Sequence, residues 1–185
     1  IKILIKKNLE NPKISVVAKR VKRSEGLLFQ LLYQTHKLIT IFFTGKNINF
    51  GNYCILTKDD VSKLHSEASL WSSFSGSVKK HIKFLQEIES IRGTRYFGPS
   101  QMSFFKLLIH SLSIIAVFRF QVLLRSSLMI IILAYLSSYL GNFATISQIS
   151  IVFFNLLIFI ISRRELEKEL INSQNNLAEI KNITH

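Results

Sequence analysis

Two arginines three residues apart, followed by a Gly-Pro-Ser turn, stand in the stretch RGTRYFGPSQ at residues 92–101. Arg92 and Arg95 carry planar guanidinium groups suited to bidentate phosphate binding, and Ser100 adds a hydroxyl donor. Arg20 ends the run ISVVAKR, and Asn52 lies within FGNY. Gln101 closes the loop, and His36 and Lys37 are secondary candidates. These residue types support the gripping of phosphates. They do not make a complete catalytic centre.

Other chemistries lack their residues. The only aspartates are the adjacent Asp59 and Asp60, so the sequence contains no D-x-D metal clamp. The 5 histidines show neither H-x-H nor H-E-x-x-H spacing, and the single Cys54 can make neither a zinc site nor an internal disulfide. Cys54 reads as a small core residue in a reducing compartment. A Gly-rich phosphate loop ending in Lys-Ser or Lys-Thr is also absent.

Charge and apolar surface are segregated along the chain. Of 185 residues, 24 are Lys or Arg and 11 are Asp or Glu, a net charge of +13, yet 48% are hydrophobic. Residues 1–100 hold 17 basic and 7 acidic side chains, whereas residues 101–185 hold 7 and 4 together with the long apolar runs. A basic body beside an apolar anchor suits an anionic membrane surface. Nucleic acid is not an expected partner, because the aromatics fall in the apolar runs and are not interleaved with the basic clusters.

The elements that must position the candidates follow from periodicity. IKILIKKNLE has helical spacing from its first residue, which reads as a chain beginning inside an element, hence a fragment; it has no cleavable leader pattern. Asn11-Pro12 stops that helix, and ISVVA at 14–18 is a β-branched strand. Ser24 and Glu25 open a helix running to about Phe43, closed by Gly45. Phe29, Leu32, Tyr33, His36 and Phe43 share one of its faces, and its internal polar residues argue against a bilayer span. A strand at about 53–56 follows Gly51, then a Thr57–Asp60 capping box begins a short helix to about Ser66. A polar helix containing KKHIK and a strand at LQEIE lead into the arginine loop. Trp71 is expected in the core, as lone tryptophans mostly are. Strands alternating with helices indicate an α/β layer.

Beyond the loop, Lys106, His110 and Ser113 recur at i, i+4 and i+7 between Ser103 and Phe118, which describes an interfacial amphipathic helix. The pattern breaks near Arg119, and RFQVLLR reads as a second short amphipathic piece. Two charge-free spans are expected at about 126–143 and 146–162, separated by Gly141 and Asn142. Arg119 and Arg125 precede them and Arg163, Arg164 and Lys168 follow, so the positive-inside bias predicts a hairpin in the inner membrane with both termini cytoplasmic. A re-entrant hairpin is the alternative.

The succession VVAKRVKRSEGLLFQLLYQTHKLITIFFTGKNINFGNYCILTKDDV, then RGTRYFGPSQMSFFKLL, then two spans, resembles the C-terminal half of family 2 glycosyltransferases of the polyprenyl-phosphate sugar synthase type, which includes dolichol-phosphate mannose synthase. The resemblance covers about residues 1–162. In that family a strand ends in a basic residue, where Arg20 stands; a Gly-Asp-Phe-like strand follows, where Gly51-Asn52-Tyr53 stands. An Arg-x-x-Gly-x-Ser-Lys loop then enters the membrane-proximal helices, where Arg95, Gly98, Ser100 and Gln101 stand. Asn52 in place of an acid and Gln101 in place of Lys are departures.

The resemblance implies an α/β fold. Residues 1–101 would be part of a nucleotide-sugar (GT-A type) catalytic domain, 102–125 interfacial helices, 126–162 two transmembrane helices and 163–185 a polar cytoplasmic tail. It implies an inverting transfer from a nucleotide sugar to a polyprenyl-phosphate acceptor by direct displacement, and leaves a homo-oligomer open. A divalent metal, Mg or Mn, would be held by ligands preceding Ile1. The rival reading is a non-enzymatic basic adaptor or scaffold anchored by the same hairpin.

Overall fold

The computed structural model describes residues 2–22, 27–91, 103–163, 165 and 170–175. Their elements run α1 (Lys2–Glu10), β1 (Ser15–Lys22), α2 (Leu27–Thr44), β2 (Phe50–Ile55), α3 (Lys58–Leu64), α4 (Ser69–Ser72), α5 (Phe74–His81) and β3 (Leu85–Ile91). Then come α6 (Phe104–Ala116), α7 (Arg119–Tyr135), α8 (Ser137–Leu140) and α9 (Asn142–Ser162). The fold is mixed α/β and mostly helical.

The β-branched run of β1 is central because its side chains are buried on both faces, as a covered strand requires. The sheet order is β2-β1-β3, with β1 antiparallel to β2 and parallel to β3. Val17 packs with Phe50, Leu64, Val78 and Ile82 beneath α3 and α5, while Val16 and Ala18 pack against Leu4 of α1 on the opposite face. Alternation along one strand therefore builds two half-cores, and each fully buried Val contributes about 1.5–3 kcal/mol.

Local signals close the elements. Gly45 adopts φ +69°, the left-handed cap that ends α2. Thr57 caps α3 by accepting from the Asp60 amide at 3.2 Å. The return arm of the capping box is absent: the Thr57 amide donates instead to Ser15 Oγ at 3.0 Å, and Ser15 Oγ–H donates to the Asp60 carboxylate at 2.5 Å. The start of β1 is thereby tied to α3. Lys79, Lys80 and His81 end α5, where cations favour the helix dipole.

A second core lies among the C-terminal helices. Ile115, Ala116, Val122, Ile158 and Ile161 are buried together, with Ile39 and Phe43 of α2 packed against them. Gly76 lets α5 approach this unit closely: a Cβ there would lie 3.1 Å from Val117 Cγ2 and 3.3 Å from the Ile114 carbonyl.

Three expectations change. Trp71 is 46% exposed, because the single turn of α4 aims Ser69 inward, where it bonds Ser77 at 2.7 Å, and leaves the indole outside. RFQVLLR is the first part of α7, continuous with much of the first expected span, whose remainder breaks into α8. Among the described residues α9 is thus the one helix long and apolar enough to cross a bilayer; α7 passes only jointly with α6, to which it is bent by 82°. A run of apolar residues specifies burial in lipid or protein, and does not by itself keep one helix axis.

Candidate functional site

Three strands bring Arg20 and Asn52 to one end of the sheet. Along the parallel pair, Arg20 of β1 is in register with Ser90 of β3, and Lys22 with Ile91, with an irregularity between Arg20 and Lys22. The chain therefore leaves β3 toward Arg92 at the edge where β1 also ends. In α/β sheets the carboxyl ends of parallel strands are where ligands bind.

β2 arrives at the same end from the other side. Lys19 pairs with Phe50 and Val17 with Cys54, so Gly51, Asn52 and Tyr53 together face the single residue Ala18. This bulge lifts Asn52 and Tyr53 from the ladder, and both are exposed. The regular strand expected at 53–56 instead starts at Phe50 and contains the motif inside its bulge.

Beside these positions lies a polar group that sequence reading missed. Lys19 Nζ sits 3.4 Å from Glu87 Oε2, and Asn49 Nδ2 donates to the same oxygen at 3.5 Å. Asn49 Oδ1 is buried without a donor among the described residues. The signal was present in the strand alternation, which places Glu87 two positions after the core residue Leu85 on the same face. It was hidden because nothing local joins residues 19, 49 and 87.

Arg92, Arg95, Ser100 and Gln101 lie outside the described residues, as do Ser24 and Glu25. The segment bearing the four site candidates is bounded by Ile91 of β3 and by Ser103, whose hydroxyl caps α6 by accepting from the Lys106 amide at 3.4 Å. α6 begins with Phe104 and Phe105, both exposed.

The secondary candidates stand apart. His36 Nε2 lies 3.0 Å from the Ser111 carbonyl and 3.3 Å from Thr40 Oγ1, which ties α2 to α6. It is a helix-joining residue in this fold, since its ring is occupied within the helical core. Lys37 is half-buried on the same helix.

Another polar group sits where the sheet meets the helices. His81 Nε2 is 3.3 Å from Glu67 Oε2 and 3.5 Å from Ser69 Oγ. Both contacts fall on one ring nitrogen, so this is not the relay of a nucleophilic triad, which uses the two nitrogens separately. Burial pushes the His81 pKa below its ordinary value, against the partly opposing Glu67 carboxylate.

No cluster able to hold a divalent metal is found among the described residues. Asp60 is buried and occupied by Ser15 and by Lys63 Nζ at 3.1 Å, and among the described residues no three His, Cys, Asp or Glu side chains gather. Comparison with protein-family models, with curated proteins and with solved structures returned no match.

Proposed function

We propose that this chain is the membrane-anchored acceptor-side part of an inverting family 2 glycosyltransferase that moves a sugar from a nucleotide-sugar donor to a polyprenyl-phosphate or similar lipid acceptor. The observation that carries the reading is the register of β1 on β3 together with the β2 bulge. Arg20, Asn52 and the entry to the Arg92–Gln101 segment share one sheet end, and that segment continues into the exposed Phe104–Phe105 start of α6. A lipid phosphate has its reactive group at the headgroup layer, so cations on a segment joining a sheet edge to an apolar helix are well stationed to hold it.

In this reading Arg20, Arg92, Arg95 and Ser100 bind donor and acceptor phosphates, offsetting the repulsion between two anionic substrates as the acceptor phosphate oxygen attacks the anomeric carbon and the bond from that carbon to the nucleotide's phosphate oxygen breaks, releasing the nucleotide. Asn52 and Gln101 contribute neutral hydrogen bonds. The metal expected for such enzymes has no ligand set among the described residues, and no step is assigned to it. The GT-A architecture, an inner-membrane location and cytoplasmic termini belong to the same proposal; they rest on the resemblance and on the basic residues flanking 126–162.

The test expresses the full parent protein in membranes and measures sugar transfer to polyprenyl phosphate. Arg20→Ala and Arg95→Ala are each expected to weaken acceptor use about tenfold or more, the value of one lost charged hydrogen bond. Unchanged transfer in both variants removes them from the site, and a parent without any transfer leaves the adaptor reading.

A further inference from the structure

The face of β1 that carries Val17 changes character along its length. Val17 packs with Phe50, Leu64 and Val78, and Leu85 of β3 joins the same cluster. Two residues on, strand alternation puts Lys19 on that face, and the parallel register sets Glu87 and Glu89 beside Val17 and Lys19. The side chains of Lys19 and Glu87 are 37% and 32% exposed, and Glu89 is exposed, so this part of the face is open.

Asn49 reaches into it from the connection between α2 and β2. β2 flanks β1 on the side away from β3, yet Asn49 Nδ2 donates across β1 to Glu87 Oε2 at 3.5 Å. Lys19 Nζ lies 3.4 Å from the same oxygen, and Glu87 Oε1 accepts from no described residue. Asn49 is only 7% exposed, and its own Oδ1 is buried without a donor among the described residues. Burying an acceptor unpaired is costly, whereas a partly exposed ion pair returns little stability. The fold therefore gains little from this arrangement. What the amide and the ammonium achieve is to fix one oxygen of Glu87 and leave the other free to accept.

We propose that Glu87 accepts a hydroxyl from the sugar or ribose ring of the nucleotide-sugar donor, with Asn49 and Lys19 as the residues that position its carboxylate. The inference deepens the glycosyltransferase reading and rests on it. An ionised carboxylate accepts hydrogen bonds only and repels phosphate, so its ligand must bring donors. Lys19 already supplies a cation, which leaves a neutral group rich in O–H donors as the fitting partner. Glu87 lies about 13 Å by strand rise from Ile91, where the chain enters the Arg92–Gln101 segment, so phosphates at the sheet end and a ring on Glu87 fit one extended ligand.

The test measures sugar transfer to polyprenyl phosphate by the full parent protein in membranes, with UDP- and GDP-sugars as donors. Glu87→Gln is expected to raise KM for the accepted donor about tenfold or more and to leave KM for polyprenyl phosphate unchanged, because a site built to bind a hydroxyl weakens when its charge is removed. Asn49→Met removes the orphaned carbonyl together with the positioning amide: the melting temperature should hold while donor KM rises severalfold. Inhibition by UDP or GDP locates the ring. Inhibition constants unchanged in Glu87→Gln assign the hydroxyl to the transferred sugar, and constants raised along with KM assign it to ribose. An unchanged donor KM in Glu87→Gln overturns the inference and leaves the transferase reading standing. Equal losses toward donor and acceptor with a lowered melting temperature reveal a structural ion pair and also overturn it. A parent that transfers from none of the donors overturns both.

Discussion

The guanidinium of Arg119 donates to the carboxylate of Glu165, joining the first residue of α7 to the chain just past α9. The Glu165 side chain is 10% exposed, and its Oε1 has no donor among the described residues. Removing the arginine leaves that carboxylate desolvated and uncompensated. Arg119→Ala is expected to lower stability by about 2–3 kcal/mol, toward the small end of the range for broken buried pairs because Arg119 is partly exposed. Urea unfolding of the full chain in detergent reads this. Glu165→Gln should be milder, and an Arg119→Ala variant as stable as its parent would show that the pair contributes nothing net.

Gly45 should tolerate no side chain. Its φ of +69° disfavours L residues, and a Cβ would lie 2.6 Å from Arg125 Nη2. Gly45→Ala is expected to cost about 1–2 kcal/mol from backbone strain alone, with a further loss from the displaced guanidinium. Adding Arg125→Ala restores only the steric part, so thermal melts of the single and double variants separate the two. Gly141, at φ +52° with nothing within 4 Å, is the control for pure strain.

Stability should fall on acidification in two separate windows. The His81 pKa is lowered by burial, aided by Lys80 and opposed by Glu67 and Glu165. Above its unfolded value of about 6.5 both states are neutral; below that value the unfolded chain takes up the proton first, so stability is lost as pH falls. Burial of Asp60 pushes its carboxyl up, but hydrogen bonds with Ser15, Lys63 and Thr57 outweigh this and lower it overall. Its contribution is present above about 3.9 and is lost below. Urea midpoints from pH 7.5 to 3 should show both losses. His81→Gln should flatten the first and Asp60→Asn the second; an unaltered profile in either variant refutes that assignment.

Gly76 tests how closely the sheet unit sits on the helices. Gly76→Ala gains up to about 1 kcal/mol of helix propensity, which offsets the small shifts demanded of Val117, the capping Ser73 hydroxyl and the Ile114 carbonyl. It should be near neutral. Gly76→Leu cannot be accommodated and should separate α5 from α6, seen as faster proteolysis between the sheet and the C-terminal helices.

Much of the fold was legible because its signals are local. Pro12 after α1, the β-branched core of β1, Gly45 after α2 and Thr57 before α3 each act within a turn of their own position, and each marks the boundary observed. Trp71 was misread because its environment depends on which way a four-residue helix faces. The bounds of the first expected span changed for a related reason: residues 126–143 carry no charge, and that alone does not say that Arg119 begins their helix or that the axis breaks before Ser137. Of the candidate site, Arg20 and Asn52 were picked out only by their place in the resembled motifs, whereas the Lys19–Glu87–Asn49 group joins three distant segments and had no local mark.

Residue order alone determined the element types, the caps and the separation of a basic half from an apolar half, since periodicity, turn chemistry and charge act over a few neighbours. Tertiary structure alone decided that Arg20, Asn52 and the exit from β3 meet at one sheet end, and that α2 packs on α6 and α7 while leaving Leu31, Leu38 and Phe42 exposed. Strand register and the choice of helix face are settled by packing among segments tens of residues apart, which no short window of sequence contains.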